Sequence, residues 1–123
     1  MATPPSPRIT PELREWLQRE RAWGNQTLHA LARQRRLLGA DKHGLERFAR
    51  RMALVDLAGS VTRWAHGLHD ALIRVGLGEA AAVFAVAPHL PATEPTSADF
   101  EELTAYVQSG IAVLGELLAS WER

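Results

Sequence analysis

Residues 96–121 read TSADFEELTAYVQSGIAVLGELLASW, and this stretch decides the fold. Phe100, Leu103, Val107, Gly110, Leu114, Leu117 and Trp121 recur at alternating steps of three and four, the seam of a helix packed along its whole length. Thr96 or Ser97 is placed to cap its start, and Asp99, Glu101 and Glu102 complement the positive end of its dipole. Pro88, Pro91 and Pro95 mark the preceding segment as a linker.

Working outward, Glu79–Val86 is almost wholly apolar and predicts a short helix that plugs one end of a bundle. Gly76 and Gly78 stop the helix before it, which starts after Asp41 as its cap and runs to Val75. At 1.5 Å per residue that helix is about 50 Å long, so a kink is expected near Gly59 or Gly67. Its apolar arc is Leu54, Leu57, Ala58, Val61, Ala65, Leu68 and Leu72, and the opposite stripe through Asp56, Ser60, Arg63, Gly67, Asp70 and Arg74 reads as solvated. The first helix begins at Thr10, with Pro11 at its first position and Glu12 and Glu15 in its first turn. Its stripe is Leu13, Leu17, Gly24, Leu28, Leu31 and Leu38, flanked by Trp16 and Trp23, and Gly39 ends it. Nothing reads as a strand or a repeat. The expectation is an all-α bundle of three long helices and one short one over residues 10–123, after a loose arm at 1–9.

A chain of 123 residues has room for one domain and one core. The absence of cysteine excludes disulfide scaffolds, thiol catalysis and cysteine-ligated metals. No run approaches 18 uninterrupted apolar residues, and Met1–Pro7 lacks the pattern of a signal peptide, so no membrane span and a cytoplasmic location are expected. Charge is segregated. Residues 1–51 hold eleven Arg/Lys against five Asp/Glu, whereas residues 52–123 hold three against nine. Such asymmetry points to an electrostatic partner or to copies meeting end to end.

The cations concentrate where the first two helices join: Arg33, Arg35, Arg36, Lys42, His43, Arg47, Arg50 and Arg51 against only Asp41 and Glu46. A tip of that kind neutralises phosphates without reading sequence, or pairs with acidic groups of a neighbouring helix or subunit. Arg63-Trp64-Ala65-His66-Gly67-Leu68-His69 fits the Arg-x5-His pattern of the HEPN ribonucleases, which implies Arg63 and His69 acting on a scissile phosphate. On a continuous helix those two side chains stand about 120° apart, so catalysis there requires a helix start or kink near Arg63. His66, His69 and Asp70 share the spacing of metal ligands, but a core histidine with a hydrogen-bond partner is the favoured account, and no metal or other cofactor is expected. Glu20 falls in the middle of the first helix's apolar stripe, level with Ser60, where Arg63 or His66 is placed to answer it or a second subunit is. Gly76-Leu77-Gly78 reads as a helix stop and not as a phosphate loop.

Leu72-Ile73-Arg74-Val75-Gly76-Leu77-Gly78-Glu79-Ala80-Ala81-Ala82-Val83-Phe84 is similar to a segment of the small helical subunits of type III-B CRISPR effectors, in which a Gly-Leu turn leads into a short apolar helix. Asp99-Phe100 through Thr104-Ala105, leading to Trp121, resembles the closing helix of that family. The chain departs from it in its long, tryptophan-containing first helix and in lacking a polar residue before the Gly-Leu turn. The resemblance implies a non-catalytic subunit that stacks head to tail beside a crRNA–target duplex and lines it with arginines.

The sequence therefore reads as a non-enzymatic helical subunit that contacts nucleic-acid backbone through Arg33, Arg35, Arg36, Lys42, Arg47, Arg50 and Arg51. Trp16, Trp23 and Trp121, with Glu20, are its expected interface to other subunits or to further copies of itself. The alternatives are a HEPN-like ribonuclease using Arg63 and His69, or a protein-binding bundle with no nucleic-acid role.

Overall fold

A computed structural model describes residues 10–38, 44–88 and 96–121. They form α1 (Pro11–Leu38), α2 (Gly44–Arg74), α3 (Gly78–Ala82) and α4 (Ser97–Trp121), three long helices and one short one, with no strand among the described residues. The N-terminal arm and the Asp41 cap lie outside them.

The termini form as their side chains direct. The Leu13 amide donates to Thr10 Oγ1 at 3.1 Å, which opens α1. At α4 the Asp99 amide donates to Thr96 Oγ1 while the Thr96 amide donates to Asp99 Oδ2 at 2.8 Å, a reciprocal capping box. At the end of α2, Gly76 has φ +82°. The Leu77 amide donates to the Leu72 carbonyl and the Gly76 amide to the Ile73 carbonyl, the paired bonds of a left-handed helix stop.

α1 runs antiparallel to both other long helices and packs most extensively on α4. Glu20 and Gln34 meet Trp64 and Arg50 of α2, while Arg21, Gly24 and Arg35 meet Gly115, Ile111 and Glu101 of α4. The core is aliphatic along α1 and α2 (Leu17, Leu31, Leu54, Val61, Leu68 and Leu72) and closes on Phe84 and Phe100. Trp64 stands at its centre, 6% exposed. Its indole lies against Gly24 of α1 and Gly110 of α4, its ring is 5.5 Å from Phe84 edge to face, and its Nε1–H donates to the Glu20 carbonyl at 3.0 Å. Two glycines on neighbouring helices thus make room for one large ring that touches every layer of the bundle.

Several expectations need correction. α3 stops at Ala82, not Val86, because the Phe84 and Ala85 amides turn back to the carbonyls three residues earlier. That tight turn drops Phe84 into the core and leaves Val86 81% exposed. On α4 the seam ends on Leu118 and not on Leu117. A straight helix drifts about 20° per heptad, and after Gly110 and Leu114 the next inward residue is four further on. α2 begins at Gly44, within the span expected for it after Asp41, and ends at Arg74, one residue before Val75. α4 is also long and apolar enough, by length and composition, to cross a membrane, a property that a search for uninterrupted apolar runs overlooks.

Candidate functional site

Two places bring together the residues singled out by type and spacing: the α1–α2 tip and a cleft midway along the same pair of helices.

At the tip, Arg35 and Arg36 occupy the last turn of α1, where cations offset the negative end of the helix dipole. Arg35 donates to Glu101 Oε1 in the first turns of α4, so part of the basic end is answered by the acidic start of a neighbouring helix. Both side chains are about half exposed, and such a pair contributes roughly 0–1 kcal/mol. Arg50 donates to Gln34 Oε1 at 2.9 Å, tying α2 to α1. Arg51 lies 5.4 Å above the ring of Phe48. Arg33 and Arg36 are exposed. Lys42, His43 and the side chain of Arg47 lie outside the described residues. The tip is therefore two populations: Arg35 and Arg50 brace the bundle, whereas no carboxylate among the described residues holds Arg33, Arg36 or Arg51. Beside Arg51 runs an apolar stripe that charge counting passes over. Phe48, Met52 and Val55 are 52%, 42% and 48% exposed at helical spacing.

The cleft, about 430 Å³, lies between the midpoints of α1 and α2. Trp16, Glu20 and Trp23 form one wall, and Ser60, Arg63, Trp64 and Gly67 form the other. Trp23 and Trp64 stack with centroids 5.4 Å apart. The stripe expected to be a bare solvated face of α2 is thus, at Ser60, Arg63 and Gly67, the lining of a cleft. Glu20 is half-buried, and loss of water pushes its carboxyl above the ordinary glutamate range, with Arg19 on the same helix opposing the shift. Neither expected partner reaches it. Arg63 donates to Ser60 Oγ at 3.1 Å, and His66 Nε2 faces Asp70 Oδ2 at 3.4 Å.

The histidines are not core residues. His66 is 77% exposed and His69, 3.6 Å from the other Asp70 oxygen, is 35% exposed. Among the described residues no three potential ligands gather as a metal site. No helix start lies near Arg63, which sits within α2 and lines the cleft, while His69 pairs with Asp70. Trp16, Trp23 and Trp121 are each half-buried against the core, so much of the aromatic area reserved for an interface is used within the chain. A larger groove, about 690 Å³, lies between the Gly76 turn with α3 and the last turns of α4, lined by Leu77, Val113 and Leu117 together with Glu79 and Glu116. No family model matches the chain, and no curated protein or solved structure is significantly similar to it.

Proposed function

We propose that the protein is a non-catalytic helical subunit of a larger assembly and that it contacts nucleic-acid backbone through the α1–α2 tip. The observation that carries this reading is the exposure of Arg33 and Arg36, with Arg51 beside them in sequence register, at one end of the bundle and with no carboxylate among the described residues to neutralise them. Guanidinium groups in that state are suited to bidentate contact with phosphate oxygens. The sharpest form is the small subunit of a CRISPR effector. The similarity of Leu72–Phe84 to that family supports it, and so does the local structure of the segment, a Gly-Leu turn followed by a short apolar helix.

Arg35 and Arg50 already serve the fold, so the discriminating variant leaves them alone. Arg33→Glu, Arg36→Glu and Arg51→Glu combined are expected to abolish binding to generic single-stranded RNA while the helical circular dichroism stays unchanged. Three phosphate contacts also set the salt dependence: log K is expected to fall with log salt with a slope of about −2. Unchanged affinity in the triple variant, or salt-independent binding, overturns the proposal.

A second reading, a protein-binding tip with no nucleic-acid role, is favoured by the exposed Phe48–Met52–Val55 stripe, which has no use for phosphate.

A further inference from the structure

The cleft between α1 and α2 holds a pair of opposite charges that do not meet. The Glu20 carboxylate, on the α1 wall, has no hydrogen bond or ion pair to a described residue and only the charge of Arg19 on its own helix to offset its burial, and Arg63 stands on the α2 wall bonded to Ser60 Oγ. A half-buried carboxylate that forgoes an arginine in the same cleft is costly unless some other cation comes to it. Around it are three of the chain's four tryptophans: Trp16, Trp23 and Trp64. Tryptophan offers the best aromatic face to a cation, and a tryptophan cage with a carboxylate suits a methylated ammonium, which has no N–H to satisfy and sheds water cheaply. The Arg63 guanidinium would repel a simple cation but complements one that carries its own anion.

We propose that this cleft binds a small zwitterion, a methylated ammonium joined by a short link to a carboxylate or phosphate, with the ammonium at Trp16, Trp23 and Glu20 and the anion at Arg63. The volume of about 430 Å³ lies in the range of small-molecule clefts, ~300–1,000 Å³. The walls are pre-organised: Trp64 is fixed by its bond to the Glu20 carbonyl and by Phe84 behind it. Gly67 on the α2 wall has open space around it, since a Cβ there would meet nothing within 4 Å.

The experiment titrates the full chain with glycine betaine, phosphocholine and choline chloride, following tryptophan fluorescence and calorimetry together. Both zwitterions are expected to bind saturably and at least about tenfold more tightly than choline. Glu20→Gln is expected to weaken zwitterion binding by about tenfold or more, and Arg63→Ala to erase the preference over choline. Gly67→Leu fills the cleft from a position with free space and is expected to abolish binding with the fold retained, which separates loss of the site from loss of structure. The triple tip variant is expected to bind zwitterions normally, so this proposal and the nucleic-acid reading stand or fall separately. Co-sedimentation with phosphatidylcholine vesicles that depends on Glu20 would assign the ligand to a lipid headgroup, and its absence alongside betaine binding would assign it to a free solute. No saturation by either zwitterion, choline binding as tightly as they do, or full affinity in Glu20→Gln overturns the proposal.

Discussion

Gly110 shows how much of this protein rests on what single residues leave out. A methyl group there would sit 2.7 Å from both Phe84 Cε1 and Trp64 Cη2, two ring atoms held in the core. Alanine gains about 1 kcal/mol of helix propensity over glycine, but overpacking of rigid rings costs about 1–3 kcal/mol. Gly110→Ala is therefore expected to lower stability in urea denaturation, whereas Gly67→Ala, with open space around it, is expected to raise it by roughly 0.5–1 kcal/mol. Stabilisation by both alanines alike would place the Trp64 wedge elsewhere. Trp64 itself was not legible from spacing alone. Its arc position between Val61 and Leu68 fits burial, but what makes it central is a pair of glycines 40 and 46 positions away on other helices. Glu20 was legible as an anomaly, though not its partner, because the Arg63 side chain settles on Ser60 within its own helix. Since burial raises the Glu20 pKa, the fold favours the protonated carboxyl. The stability this lends is fully present below the ordinary glutamate range and lost as pH rises through the raised value. Glu20→Gln should accordingly melt higher than the parent at neutral pH, with the gap closing in acid. A Glu20→Gln variant that melts lower than the parent at neutral pH would mean that Glu20 is paired.

α1 and α4 were legible because each carries its instructions locally: a hydroxyl cap, acids in the first turn and an apolar period of three to four. Their ends were harder. The α4 seam leaves Leu117 for Leu118 because helical drift accumulates over three heptads, a cumulative effect that a fixed repeat does not register. α3 is shorter than its run of alanines and valines allows, since seating Phe84 is worth more than one further helical turn; burying a side chain of that size contributes about 1.5–3 kcal/mol. What sets that geometry is the stop before it. Gly76 at φ +82° sends the chain back so that Leu77 meets the core, and an alanine held there costs about 1–2 kcal/mol. Gly76→Ala is expected to destabilise by about that amount and to loosen the seating of Phe84. Hydrogen exchange at the Phe84 amide, which bonds to the Ala81 carbonyl, should report the loosening ahead of global unfolding.

At the scale of the whole molecule, the segregated charge is partly used up inside the chain. Because α1 is antiparallel to α4, the basic end of one lies beside the acidic start of the other, and Arg35 with Glu101 closes that contact. What is left over includes Arg33, Arg36 and Arg51 at the tip, and Glu79 with Glu116 over the groove near α3 and the end of α4. Phe48, Met52 and Val55 share the basic end, so an apolar contact and an electrostatic one are offered to the same partner. These two components separate experimentally, because salt screens exposed charges within about 10 Å at 0.1 M and leaves apolar burial intact. If the tip meets protein, light scattering should show a mass increase that persists at high salt and disappears in Phe48→Ser with Met52→Ser. If it meets nucleic acid, the isolated chain should keep a constant mass in the absence of RNA, the serine variant should bind RNA within about twofold of the parent, and only the arginine variant should lose it. A serine variant that loses RNA binding while keeping its helical signal would show that the apolar stripe stacks on bases, since backbone contact through guanidinium groups has no role for Phe48 or Met52.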